Sequence, residues 1–237
     1  MNQVQTNVIF NHAYKFHRSD KKILIEQGGS RSGKTFNLLV WIIFDYCFQN
    51  QNNIITICRK TFPSLRGTVM RDFLDILKNY ELYSEKDHNK SNSEYYLNNN
   101  TIEFISLDQP AKIRGRKRNL LFVNECNEID WDSWQQLIFR TEGQIIIDYN
   151  PSEANHWIYD KVETRDDSVF YKTTYKDNPF IDKTLVHELE RLKETDDEYW
   201  QVFGLGERAL SRTQIFSFTT INKIPEDAKF LSIGMDF

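Results

Sequence analysis

Cysteine is scarce in this chain of 237 residues: Cys47, Cys58 and Cys126 are odd in number and show no paired C-x-x-C spacing. That excludes a disulfide framework and a cysteine zinc site, and predicts three reduced thiols in the core of a cytosolic protein. Glycine and proline are also sparse, at 9 and 5 residues, which excludes collagen-like and linker-like composition. The start, MNQVQTNVIF, is polar and has no apolar h-region, so no secretory leader is expected. The longest apolar run, residues 38–48, contains Asp45 and covers only 11 positions. It is too short for a bilayer and fits a buried helix, with no membrane partner. A basic surplus is missing as well: the net charge is −4. Small sequence-specific DNA binders carry such a surplus because phosphate contacts dominate their affinity. That class is disfavoured for the whole chain, while a local basic patch stays open.

What is present describes a globular protein: 40% hydrophobic and 27% charged residues. A chain of this length buries roughly 70–75% of its unfolded surface and needs no metal staple. Short apolar runs (22–26, 54–58, 120–123, 144–148 and 169–174) alternate with segments of helical spacing (35–48, 64–80, 131–140 and 182–194). Residues 84–92 read as a loop, and 94–97 with 101–107 as a hairpin across an Asn-rich turn. The alternation predicts an α/β fold with a mostly parallel sheet covered by helices on both faces. From about residue 176 the pattern loosens toward a small appendage or lid. Of the aromatic residues, Trp131, Trp134, Trp157 and Trp200 are expected mostly in the core. His12 and His17 have no carboxylate at ligand spacing, so no metal site is expected there.

Against so little glycine, residues 28–35 stand out: Gly28, Gly29, Ser30, Arg31, Ser32, Gly33, Lys34 and Thr35 match G-x-x-x-x-G-K-[ST], the phosphate-binding loop. Glycines let backbone N–H groups curl around phosphate oxygens, Lys34 places a charge on the β/γ-phosphates, and the Thr35 hydroxyl suits Mg2+. A strand precedes the motif and an amphipathic helix follows, whose N-terminus favours anions. Residues 120–125, LLFVNE, read as a buried strand whose end faces the nucleotide crevice. There Glu125 is the candidate base for an attacking water. Asn124 stands where an Asp is usual: it can accept from a Mg2+-bound water and supplies no charge. The run 112–118 holds five cations in seven residues. It reads as a solvated loop or nucleic-acid patch, or as the carrier of an arginine finger, with Arg31 a second finger candidate in the same subunit. Asn150, after the run IIID, either senses the γ-phosphate or caps an Asn-Pro turn.

Together GGSRSGKT, IRGRKRN (113–119) before LLFVNE, IIIDYNP (145–151) and TTYKDNPF (173–180) resemble the large terminase subunit of tailed bacteriophages, over residues 23–206. That family is the ATPase–nuclease that packages DNA into empty capsids. The resemblance implies a P-loop NTPase fold of the ASCE type, ATP and Mg2+ as cofactors, and Glu125 as catalytic carboxylate. It also implies Arg114 as a finger acting across a subunit interface and Asn150 in the motif that couples hydrolysis to DNA movement. The implied partners are double-stranded DNA, a portal protein, a small terminase subunit and further copies in a ring, in the host cytoplasm. The implied division is an ATPase core over 1–180, a lid or linker over 181–228, and over 229–237 the first strand of a ribonuclease-H-type nuclease, with Asp236 as its metal ligand. One strand builds no nuclease, so no DNA cleavage is expected from these residues. Two other readings stay open. A P-loop kinase needs an acceptor pocket, whereas Glu125 directly after its strand favours water as acceptor. A nucleotide switch with little hydrolysis is kept open by Asn124.

Overall fold

Apolar residues on both sides of the same strands require cover on both faces, and the molecule supplies it. The computed structural model describes residues 4–108 and 117–209. Eight strands form one sheet: β1 (Ile23–Gly28), β2 (Ile54–Arg59), β3 (His88–Asn89), β4 (Glu94–Leu97), β5 (Asn100–Ser106), β6 (Arg118–Val123), β7 (Thr141–Tyr149) and β8 (Ser168–Thr173). Their order is β3-β4-β5-β2-β6-β7-β1-β8. The stretch from β5 to β8 is parallel throughout, and β4 and β3 extend it as an antiparallel edge. β7 lies between β1 and β6, in register Glu26↔Asp148 on one side and Val123↔Ile147 on the other.

Strand periodicity of two sorts the side chains into two cores. Leu24, Leu120, Phe122 and Ile146 point to the face covered by α1 (Val8–His17) and α2 (Lys34–Trp41). Ile23, Ile25, Leu121, Val123, Ile145 and Ile147 point to the other, under helices Trp131–Ile138 and Trp157–Lys161. Trp134 and Trp200 are buried, and so are all three cysteine thiols, none of them bonded to another.

The departures from expectation have local causes. α2 runs on through a π-helical turn, Ile42–Tyr46, and the helical residues Cys47–Gln49. In that turn Asp45 accepts from Trp41 Nε1 at 2.9 Å and from Arg18 at 3.2 Å, which accounts for a charge inside the apolar run. The helix expected over 64–80 is two helices, Phe62–Gly67 and Val69–Asn79. Thr68 leaves helical geometry at the break, its hydroxyl donating to the Ser64 carbonyl and accepting from Arg59. Hydroxyl-to-backbone bonds of this kind compete with the helix ladder. Residues 84–92 hold a 3-10 turn, Glu85–Asp87, and the short β3. The basic run needs a correction at its end: Arg118 opens β6 and is 1% exposed, so it is neither solvated nor available to a nucleic acid. Lys117 pairs with Glu142 at 2.6 Å, while Arg114 lies outside the described residues, as do Asp236 and the expected strand around it.

After helix Lys183–Thr195 the chain returns to the sheet through a second π-helical turn, Trp200–Gly204. It packs on the back of the 28–35 loop. Ser30 N–H donates to the Phe203 carbonyl at 2.6 Å and Gln27 Nε2 to the Gly206 carbonyl at 2.7 Å.

Candidate nucleotide-binding site

β1 ends in the loop 28–35, and α2 begins at Lys34 behind Gly33, whose φ of 85° is a left-handed conformation suited to glycine. Arg31 adopts φ 63° at the exposed crest of the loop. Gly28 and Gly29 serve a purpose other than the one the motif suggests. A Cβ on Gly28 would meet the Thr173 carbonyl oxygen at 2.5 Å, and one on Gly29 the Gly204 carbonyl oxygen at 2.4 Å. Close backbone approach from β8 and the returning chain, rather than phosphate access alone, excludes side chains there. The loop is also tied down from other elements: Asn7 Nδ2 donates to the Ser32 carbonyl at 2.9 Å and Asn178 Nδ2 to the Arg31 carbonyl at 2.8 Å.

Lys34 Nζ is buried and donates to the carbonyls of Gly28 and Gly29, each at 3.0 Å, and to Asn150 Oδ1 at 2.8 Å. The Asn150 side chain thus meets the lysine of the phosphate loop. Burial pushes the Lys34 ammonium below its ordinary value, and the nearby Asp148, Glu125 and Glu26 oppose that shift. The Thr35 hydroxyl donates to Asp148 Oδ2 at 2.7 Å. From the end of β6, Asn124 Nδ2 reaches Thr35 Oγ1 at 3.1 Å and Asp148 Oδ1 at 3.0 Å. The next residue, Glu125, turns left-handed with φ 52°, and its N–H donates to Asp148 Oδ1 at 2.9 Å. Burial and then Asp148 raise the Glu125 carboxyl to about 7, against the pull of Lys34 and Arg59. A carboxyl poised there suits a general base near neutral pH.

Of the residues read from the sequence, Lys34, Thr35, Asn124 and Asn150 meet through their side chains and Glu125 joins them through its N–H, whereas Arg31 is exposed at the crest and Arg114 and Asp236 lie outside the described residues. Asp148 was not singled out there, although β-strand alternation carried the signal: it shares a face with Ile146, the face that looks toward α2. Glu26 carried the same signal, sharing the face of Leu24 on β1, whereas His12 had none. His12 Nδ1 lies 2.9 Å from Glu26 Oε1, and its ring stacks on Tyr171 at 3.8 Å. The sequence offered His12 no carboxylate, and the fold brings one from β1. Among the described residues no group of three or more His, Cys, Asp or Glu has metal-holding geometry of its own. A cation here would need oxygen from phosphate as well, as Mg2+ commonly does.

Glu26 Oε2 is buried with no hydrogen-bond partner among the described residues, and burial raises the carboxyl to about 7 despite the His12 bond. A folded-state value above the unfolded one means that the native protein binds the proton more tightly. The resulting stability is complete below the unfolded value and is lost as pH rises through about 7. Glu26→Gln removes this loss. The melting temperature of the variant should gain on the wild type between pH 5 and pH 8, and parallel curves in a calorimetric pH series would contradict it.

The family model for the phage terminase large subunit matches residues 20–207. The chain belongs to this family. The PBSX phage terminase large subunit of Bacillus subtilis (strain 168) is 24% identical over 246 aligned residues, covering 89% of this chain and 56% of its own length. The large terminase of a thermophilic bacteriophage superposes with a TM-score of 0.70 at 19% identity, over 87% of this chain and 54% of that one. Structures of the same thermophilic-phage terminase exist in complex with ADP and with ATP-γ-S. The ATPase domain of the Thermus phage P74-26 large terminase gives a TM-score of 0.58 at 15% identity, over 83% of this chain and 92% of that domain. The present chain thus spans about half the length of the terminases it matches and nearly all of an isolated terminase ATPase domain. The chain shares its fold with these solved large terminases.

Proposed function

We propose that these residues form the ATP-hydrolysing domain of a terminase that drives double-stranded DNA into a procapsid. The observation that carries this reading is the meeting of Lys34, Thr35, Asp148, Asn124 and Glu125 at the ends of three adjacent parallel strands. Ligands of open α/β sheets bind in that crevice. The ADP and ATP-γ-S complexes of the thermophilic-phage terminase support the choice of nucleotide.

Lys34 holds two loop carbonyls and Asn150, and phosphate oxygens replace those acceptors when nucleotide enters. The donor set fits Mg2+, a hard cation: the hydroxyl of Thr35 and the buried carboxylate of Asp148 are both oxygen donors. A bound Mg2+ neutralises charge developing on the phosphates. Glu125 takes a proton from the attacking water. Asn150, bonded to the same ammonium that meets the phosphate, couples the state of the nucleotide to β7 and the turn beyond it. Arg31, at the loop crest, and Arg114 are the two candidates for a finger that stabilises charge on the γ-phosphoryl group. Asp236 belongs to the proposed nuclease, and the portal, the small subunit and the ring of copies are the proposed partners.

Steady-state phosphate release, measured with and without double-stranded DNA, tests the reading. ATP-dependent release that DNA stimulates is expected, with a rate per subunit that rises with protein concentration when Arg114 acts in trans. Phosphate transfer to a small acceptor without free phosphate would indicate a kinase, and nucleotide binding without turnover a switch.

A further inference from the structure

The usual arrangement at a phosphate-binding loop places an acid at the end of the strand that here ends in Asn124. A carboxamide carries no charge, so the cation site lacks its anionic partner on β6. The neighbouring strand carries an acid at the matching height. Asp148 is paired in register with Glu26 of β1, and its neighbour Ile147 is paired with Val123, the residue before Asn124. Its side chain shares the face of Ile146 and so turns toward α2 and Thr35.

We propose that Asp148 of β7 supplies the anionic charge of the Mg2+ site, the acid having moved one strand toward the phosphate loop while Asn124 holds it in place. This deepens the ATPase reading and rests on it. Three contacts carry the inference. Asp148 Oδ2 accepts from the Thr35 hydroxyl at 2.7 Å, so the carboxylate already touches the threonine whose hydroxyl serves the cation in such loops. Asn124 Nδ2 donates to both Asp148 oxygens, at 3.0 and 3.2 Å, which turns the amide into a clamp on the acid. The Glu125 N–H donates a fourth bond at 2.9 Å and links the same acid to the proposed base. At 1% exposure the Asp148 carboxyl is raised by burial, and Lys34 together with the Thr35, Glu125 and Asn124 donors opposes that shift and favours the charged form.

The test is the ratio of ADP affinities measured in Mn2+ and in EDTA, read by fluorescence anisotropy of a labelled ADP. Such a ratio reports metal–nucleotide coupling without any turnover. For Asp148→Asn the ratio should fall roughly 10–100-fold, the range seen when groups supporting a metal ligand are removed. Affinity in EDTA should not weaken. In the double variant Asn124→Asp/Asp148→Asn the acid–amide pair is retained in exchanged positions, and the ratio should return to within about threefold of wild type. An unchanged ratio in folded Asp148→Asn overturns the inference. Where that single variant fails to fold, the exchanged pair decides: a ratio about tenfold above wild type would mean that the acid at 124 fills a place no carboxylate served before, and also overturns it. Absence of ADP binding to the wild type in both media would instead defeat the ATPase reading beneath it.

Discussion

Glu125→Gln is expected to bind ATP as the wild type does and to release phosphate roughly 10²–10⁴-fold more slowly, the usual contribution of a positioned general base. The substitution keeps size and shape and removes the proton acceptor. What anchors the residue is its backbone: the N–H bond to Asp148 and the left-handed φ of 52° both survive the change. A quench-flow or coupled phosphate assay beside an anisotropy titration separates binding from chemistry. Near-normal turnover would move the base to another group. Because burial and Asp148 raise the Glu125 carboxyl to about 7, wild-type turnover should also fall as pH drops below that value, where the base is protonated. The variant should lose this dependence.

Lys34→Ala is the second large effect. A hydrogen bond to a charged group contributes about 1.5–3 kcal/mol, so nucleotide affinity should drop roughly 10–150-fold and turnover should fall with it. Lys34 differs from an exposed phosphate-binding lysine in being buried among Glu26, Glu125 and Asp148. Its removal leaves those acids without their shared ammonium and takes the Lys34 donor from the carbonyls of Gly28 and Gly29, the latter keeping only the Ser32 hydroxyl. Loss of binding should therefore come with a lower melting temperature. A variant that binds labelled ADP at wild-type strength would refute the assignment of the loop.

The parallel sheet was legible because its strands are short apolar runs separated by helical spacing, and a chain with 9 glycines makes its one glycine-rich loop conspicuous. The site was legible where the determinants are local: a motif of eight residues, and a strand ending in Asn124-Glu125. It was less so where partners are brought from afar. His12 meets Glu26 and Asn178 meets the Arg31 carbonyl across 147 positions, and neither has a spacing rule to announce it. The break at Thr68 was hidden because apolar spacing runs through it, while the side-chain bonds that interrupt the helix depend on Arg59 of β2. Arg118 misled for the opposite reason: a run of cations reads as surface, yet its last member is the buried opening residue of β6.

The return of residues 200–206 to the back of the phosphate loop limits which amides a guest can use. Ser30 N–H is already committed to the Phe203 carbonyl, and Gly206, at φ 66°, sits so near that a methyl group on it would lie 2.8 Å from Gly28 Cα. The anion cradle is left to the later amides that lead into α2, where the helix dipole adds its attraction. Recruiting Ser30 would require residues 200–206 to move away, because a single N–H cannot serve the Phe203 carbonyl and an anion at once.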